Sequence, residues 1–154
     1  MTIPQHLLDA AALHVQRGRR AGLMVRHAER HPVRNLLKHE SVLLTERGHE
    51  QAKQAGASLA KLSSHVAVAH SPVERCAETA RGLVAGASTA GSKARLVCAI
   101  DALGSPFILD RKRAWDLVMK IGPTFIRDWF DDKLPNDIFM PRAQGAALQL
   151  DAIA

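Results

Sequence analysis

Apolar positions along this chain follow two rhythms. Three short runs are apolar without alternation: "AGLMV" at 21–25, "HVAVA" at 65–69 and "ARLVCAI" at 94–100. Such runs are the pattern of strands covered on both faces. Between them the spacing is helical. Residues 5–17 place Leu8, Ala12 and Val15 on one side, ahead of the basic turn "RGRR". Residues 45 to about 62 place Ala52, Ala55, Gly56, Leu59 and Leu62 on an inward stripe, with Thr45 positioned as N-cap. In "SPVERCAETARGLVAG", Ser71 is the expected N-cap, Pro72 the first helical residue and Glu74 the partner of a capping box. Gly86 is the expected helix end, with "ASTAGSK" as a small polar loop.

After residue 100 the pattern changes. "DALGSPFILD" reads as a loop, and "RAWDLVMKI", "PTFIRDWFDD" and "PRAQGAALQLDAIA" as helices parted by Gly122-Pro123 and "KLPND". Strands alternating with helices predict an α/β fold: three layers, a mostly parallel sheet, helices on both faces and right-handed crossovers. At 154 residues and 47% hydrophobic, the chain can bury one core, so a single domain over 1–154 is expected.

Charge narrows the partners. The net charge is +6, and the excess lies early: 14 Lys and Arg against 7 Asp and Glu through Arg95, then 7 against 8. Single-stranded nucleic acid favours basic residues interleaved with aromatic ones, yet the first 95 residues contain no Phe, Tyr or Trp. Small anions fit better, and neither a nucleic acid nor a membrane is an expected partner. No apolar stretch approaches the ~18 residues of a membrane span. The basic cluster follows the first apolar segment instead of preceding it, unlike a signal peptide, so a cytoplasmic location is expected. Cys76 and Cys98 lack metal-ligand spacing and read as buried thiols, so no metal and no cofactor is expected.

Chemistry gathers where the first apolar run stops, in "LMVRHAER". Ligands of open parallel sheets bind outside the carboxyl ends of the strands, where helix N-termini point inward. Arg26 and His27 sit at such an end, and Arg75, in the first turn of the helix after the second strand, reaches the same edge. Two guanidinium forks beside one imidazole suit a phosphoryl group. A neutral imidazole nitrogen can attack phosphorus near pH 7 if its other nitrogen is held by a hydrogen bond. Glu29 and Arg30 are candidates for the pocket mouth, and direct attack by histidine requires no metal. The aromatic stripe of Phe125, Ile126, Trp129 and Phe130 reads as core or sheet cover, and "RKR" at 111–113 as a solvated helix start.

"LMVRHAER", then "LTERGHEQAKQAGASLA", then "VAHSPVERCAETARGL" resemble, in that order, the histidine phosphatase superfamily with its phosphoglycerate mutase-like fold; the likeness covers residues 21–86. The resemblance implies His27 as phosphorylated nucleophile, with Arg26 and Arg75 in the phosphate pocket. It implies a phosphomonoester hydrolase acting on a small phosphorylated substrate or a phosphoprotein, with a phosphomutase or a non-catalytic phosphate-binding module as alternatives. Two departures stand out. Ala28 replaces the glycine commonest after the histidine, and no histidine follows His70, whereas the family draws a second one from a late strand. Among the earlier histidines, His65 begins a strand at the opposite edge, His31, His39 and His49 fall in or after the "HPVRNLLKHES" excursion, and only His70 lies near the active edge. The final helix also ends without a stop signal. The expectation is therefore a chain truncated before a C-terminal strand, with an exposed sheet edge open to self-association.

Overall fold

The computed structural model describes residues 1–32 and 40–152. Most of the "HPVRNLLKHES" excursion, His39 included, lies outside the described residues. The chain divides into two compact units, Met1–Ile100 and Asp101–Ala154.

The first unit holds α1 (Gln5–Gln16), α2 (Glu46–Ala60), β1 (His65–His70), α3 (Glu74–Thr89) and β2 (Lys93–Ala99). The α/β class and the parallel pairing are as expected. β1 and β2 run parallel, in register from His65 opposite Lys93 to Val68 opposite Leu96 and irregular before His70, and α3 is the crossover between them. Thr45 caps α2 as its sequence predicts, its hydroxyl oxygen accepting from the Gly48 N–H at 3.0 Å. The inward stripes of α2 and α3 are built of alanine and glycine, and their backbones approach closely. A Cβ added to Gly86 would strike the Lys53 carbonyl oxygen, and one on Gly56 the Leu83 carbonyl oxygen. Ile3, Leu8, Ala55, Val68, Ala80 and Leu83 form the main core. A second, smaller cluster of Ala28, Leu44 and Ala52 lies under the segment that follows His27.

Four expectations are corrected. The first apolar run is not a strand: among the described residues, 21–29 belong to no ladder, and Met24 and Val25 are 60% and 38% exposed. An apolar run records a preference for burial, whereas a ladder also needs an adjacent edge, and among the described strands β1 pairs only with β2. Leu96 and Val97 of β2 are likewise exposed, and so is Cys98, against the expectation of a buried thiol, because this strand lacks a cover over its outer positions among the described residues; Cys76 is half-buried. Ser71 does not cap α3. The helix starts at Glu74 after an extended Val73 (ψ 131°), whose carbonyl accepts from Cys76 and Ala77, and no side chain caps it. Proline's fixed φ suits that extended turn as well as a first helical position, so the motif fits both. Gly86 does not end the helix, which runs on to Thr89. The stop is Gly91, at φ +92°, where Gly91 N–H donates to Ser88 and Ser92 N–H to Ala87 in a Schellman arrangement. Gly91→Ala should cost about 1–2 kcal/mol, because an L side chain is strained in that region. A fall in the urea midpoint at unchanged m-value checks it.

The second unit contains α4 (Arg111–Ile121), a 3-10 turn at Gly122–Thr124, α5 (Phe125–Phe130) and α6 (Arg142–Asp151). Asp110 caps α4 by accepting from Arg113 N–H at 3.0 Å. The core is Ala114, Leu134, Ile138 and the fully buried Phe139, joined by Phe107, Phe125 and Trp129. Phe107 and Trp129 stack at 4.5 Å, and Trp129 Nε1–H donates to the Met140 carbonyl. Of the aromatic stripe, Phe125 and Trp129 are therefore core, while Ile126 and Phe130 are half exposed. The "RKR" start of α4 is exposed, with Arg113 paired to Asp137.

Candidate active site

The segment after His27 is held residue by residue. Ala28 N–H donates to the Thr79 hydroxyl at 3.1 Å, Glu29 N–H to Gln51 Oε1 at 3.1 Å, and Thr45 N–H to the Glu29 carbonyl at 3.0 Å. An isolated antiparallel bridge then joins Arg30 to Leu44. The "LTxxG" stretch explains itself physically in this setting. Leu44 packs beneath Ala28, Thr45 caps α2 and binds Glu29, and Gly48 lies so close to the Glu29 carbonyl that a Cβ there would collide with it.

So held, the Ala28 carbonyl accepts from the His27 ring at Nδ1, 2.7 Å away. A carbonyl oxygen only accepts, so Nδ1 carries the proton and the neutral ring presents a bare lone pair at Nε2. His27 is half-buried. Its pKa lies below the ordinary 6.5, first because burial disfavours the imidazolium; the Ala28 bond opposes this, and the positive charges of Arg75, Arg26 and Arg30 add to it. The charges of Arg75, Arg26 and Arg30 thus act in the same sense on one imidazole. Arg75 stands in the first turn of α3 with its Nε buried. Its pKa is lowered chiefly by burial, with Arg30 and Arg26 acting in the same sense and Cys76 and Glu40 opposing. The guanidinium keeps its charge at any physiological pH.

Glu29 is placed differently. Its carboxylate accepts from the Thr45 hydroxyl at 2.9 Å and pairs with Arg47 at 3.7 Å, so it serves the start of α2. Arg30 donates to the His31 carbonyl. His65 lies at the start of β1, and His49 pairs with Glu78, whose other oxygen accepts from Leu44 N–H at 2.7 Å. His70, at the carboxyl end of β1, shares the local arrangement of His27: its Nδ1 donates to the carbonyl of the next residue, Ser71, at 2.7 Å. Among the described residues there is no group of three or more His, Cys, Asp or Glu that could hold a metal ion, and no helix long and apolar enough to cross a membrane.

Sequence reasoning missed Thr79, Gln51 and Glu78. The signal was helical spacing: Thr79 lies one turn beyond Arg75 on the same face of α3, and Gln51 one turn beyond Arg47 on α2. Polar residues at such positions read as solvated until the segment they hold is known.

Residues 23–95 match the family model of the histidine phosphatase superfamily (branch 1). This segment belongs to that superfamily. No curated protein and no solved structure matches the chain. The match runs from the start of "LMVRHAER" to Arg95 within β2, so His27, α2, β1 and α3 all lie inside the histidine phosphatase segment.

Proposed function

We propose that this chain is a phosphomonoester hydrolase domain working through a phosphohistidine at His27. Nε2 attacks phosphorus, the N–P bond forms as the P–O bond to the leaving group breaks, and the leaving oxygen takes up a proton. Water then attacks phosphorus, the N–P bond breaks, and phosphate departs. Arg26 and Arg75 hold the equatorial oxygens, whose charge is spread in the transition state. The substrate is a small phosphorylated compound or a phosphoprotein. The observation that carries this reading is the His27 Nδ1–H bond to the Ala28 carbonyl, which leaves Nε2 unprotonated in a field of three arginines.

Incubation with labelled phosphoramidate or acetyl phosphate should leave acid-labile, base-stable phosphate on the protein, and none on His27→Ala. Label of the same amount on the variant sinks the assignment. A second reading is favoured by one specific feature, that no histidine follows His70 in the sequence. On that reading the chain binds phosphate without turning it over. Phosphate or vanadate would then raise the melting temperature while no phosphoenzyme forms.

A further inference from the structure

We infer that Thr79 is a positioning residue, whose hydroxyl sets the tautomer of His27 and ties its segment to the helix turn bearing Arg75. Thr79 is 4% exposed and carries the two bonds that join these parts. Its hydroxyl accepts from Ala28 N–H at 3.1 Å and donates to the Arg75 carbonyl at 2.7 Å. The direction is fixed by elimination. An amide N–H only donates and a carbonyl only accepts, so the single hydroxyl proton points to Arg75 and a lone pair faces Ala28.

The consequence reaches the ring. The two peptides flanking the Ala28 Cα are pinned by their N–H groups, one by Thr79 and the other by Gln51. The carbonyl of the second peptide is the acceptor for His27 Nδ1–H. Thr79 and Gln51 therefore hold the two peptides on either side of the Ala28 Cα, and the Thr79 hydroxyl ties the first of them to the Arg75 carbonyl. Without that hydroxyl, the buried Ala28 N–H loses its partner, the first peptide is free to turn about the Ala28 Cα, and the acceptor carbonyl, now held through Gln51 alone, is aimed less firmly at Nδ1. This goes beyond the assignment of His27 and Arg75. It rests on the phosphohistidine reading only for its rate measurement, because the tautomer is a property of the resting protein.

The experiment uses the full chain with 15N-labelled histidine, and Thr79→Val and Thr79→Ser variants whose folding is checked by circular dichroism. In the unaltered protein and in Thr79→Ser, the imidazole spectrum should show His27 in the Nδ1–H tautomer. In Thr79→Val it should show a mixture of tautomers and a titration midpoint lower still, because the Ala28 bond that raised it is weakened. Phosphorylation of His27 should slow about 10- to 100-fold in Thr79→Val, the range for a misplaced reacting group. An Nε2–H tautomer in the unaltered protein, a changed tautomer in folded Thr79→Ser, or an unchanged one in folded Thr79→Val each overturns the inference. If Thr79→Val does not fold, the unaltered protein and Thr79→Ser decide by the same criteria. If the tautomers respond as stated while no protein takes up phosphate, the positioning role stands and the proposed function fails.

Discussion

Arg75→Gln should slow the phosphorylation of His27 by about 10²- to 10³-fold, the range expected when one well-aimed donor to a developing oxyanion is lost. Glutamine keeps one donor group but neither the charge nor the planar fork, and Arg75→Lys should recover only part of the loss because an ammonium lacks the paired geometry. The same variant has a second, independent readout. Arg75 lowers the His27 pKa, so its removal should raise the titration midpoint toward 6.5. The sign for the unaltered protein follows. With a folded pKa below the unfolded 6.5, His27 takes nothing from stability above that value, and stability is lost as pH falls through the lowered midpoint. The acidic limb of activity should accordingly lie below the ordinary histidine range and move upward in Arg75→Gln. A His27 midpoint that does not respond would mean that the guanidinium is too far away to clamp a shared anion.

Gly86→Ala should destabilise the first unit by about 1–3 kcal/mol, and Gly56→Ala by a similar amount, as expected for overpacking a close contact. Intrinsic helix propensity alone predicts the opposite, a gain of about 1 kcal/mol for alanine over glycine within a helix. The steric effect wins because the obstructing atoms are carbonyl oxygens of the facing helix, which cannot rotate away as a side chain would. Each added methyl has to part α2 from α3. The double variant should cost less than the sum, since both substitutions open the same interface. Urea unfolding measures the effect, and a raised midpoint for either single variant would contradict the close approach. Parting these helices also separates Thr45 and Gln51 on one side from Thr79 and Arg75 on the other, so His27 phosphorylation should fall in parallel.

The elements with purely local causes were legible in the sequence. Thr45 needed only its place before a periodic run to be read as a cap, and β1 and β2 followed from apolar runs, whereas α3 was read from a capping box at Ser71 that does not form. His27 and Arg75 were read together from a strand end, yet residues 21–29 form no strand, and it is the hydrogen bonds of Ala28 and Glu29 to α3 and α2 that hold the His27 segment. What misled depended on partners distant in the chain. "LMV" reads as a buried strand because sequence carries no record of which edge is free to pair. Gly86 reads as a stop because glycine serves both the left-handed turn and the close helix contact, and only the carbonyl of Lys53 distinguishes them. Thr79 escaped notice because a hydroxyl one turn past an arginine is unremarkable until the amide of Ala28, 51 residues earlier, is brought against it.

Position 28 has a further consequence for how such chains can vary. Ala28 is 2% exposed, and its methyl belongs to a small apolar cluster with Leu44 and Ala52, against which Met1 packs. Glycine at 28 would thin that cluster by about one methyl group, and any larger side chain would push Leu44 outward. Among descendants of this sequence, the residues at 28, 44 and 52 should therefore trade volume with one another, a gain at one matched by a loss at another, while the backbone that aims the imidazole stays where it is.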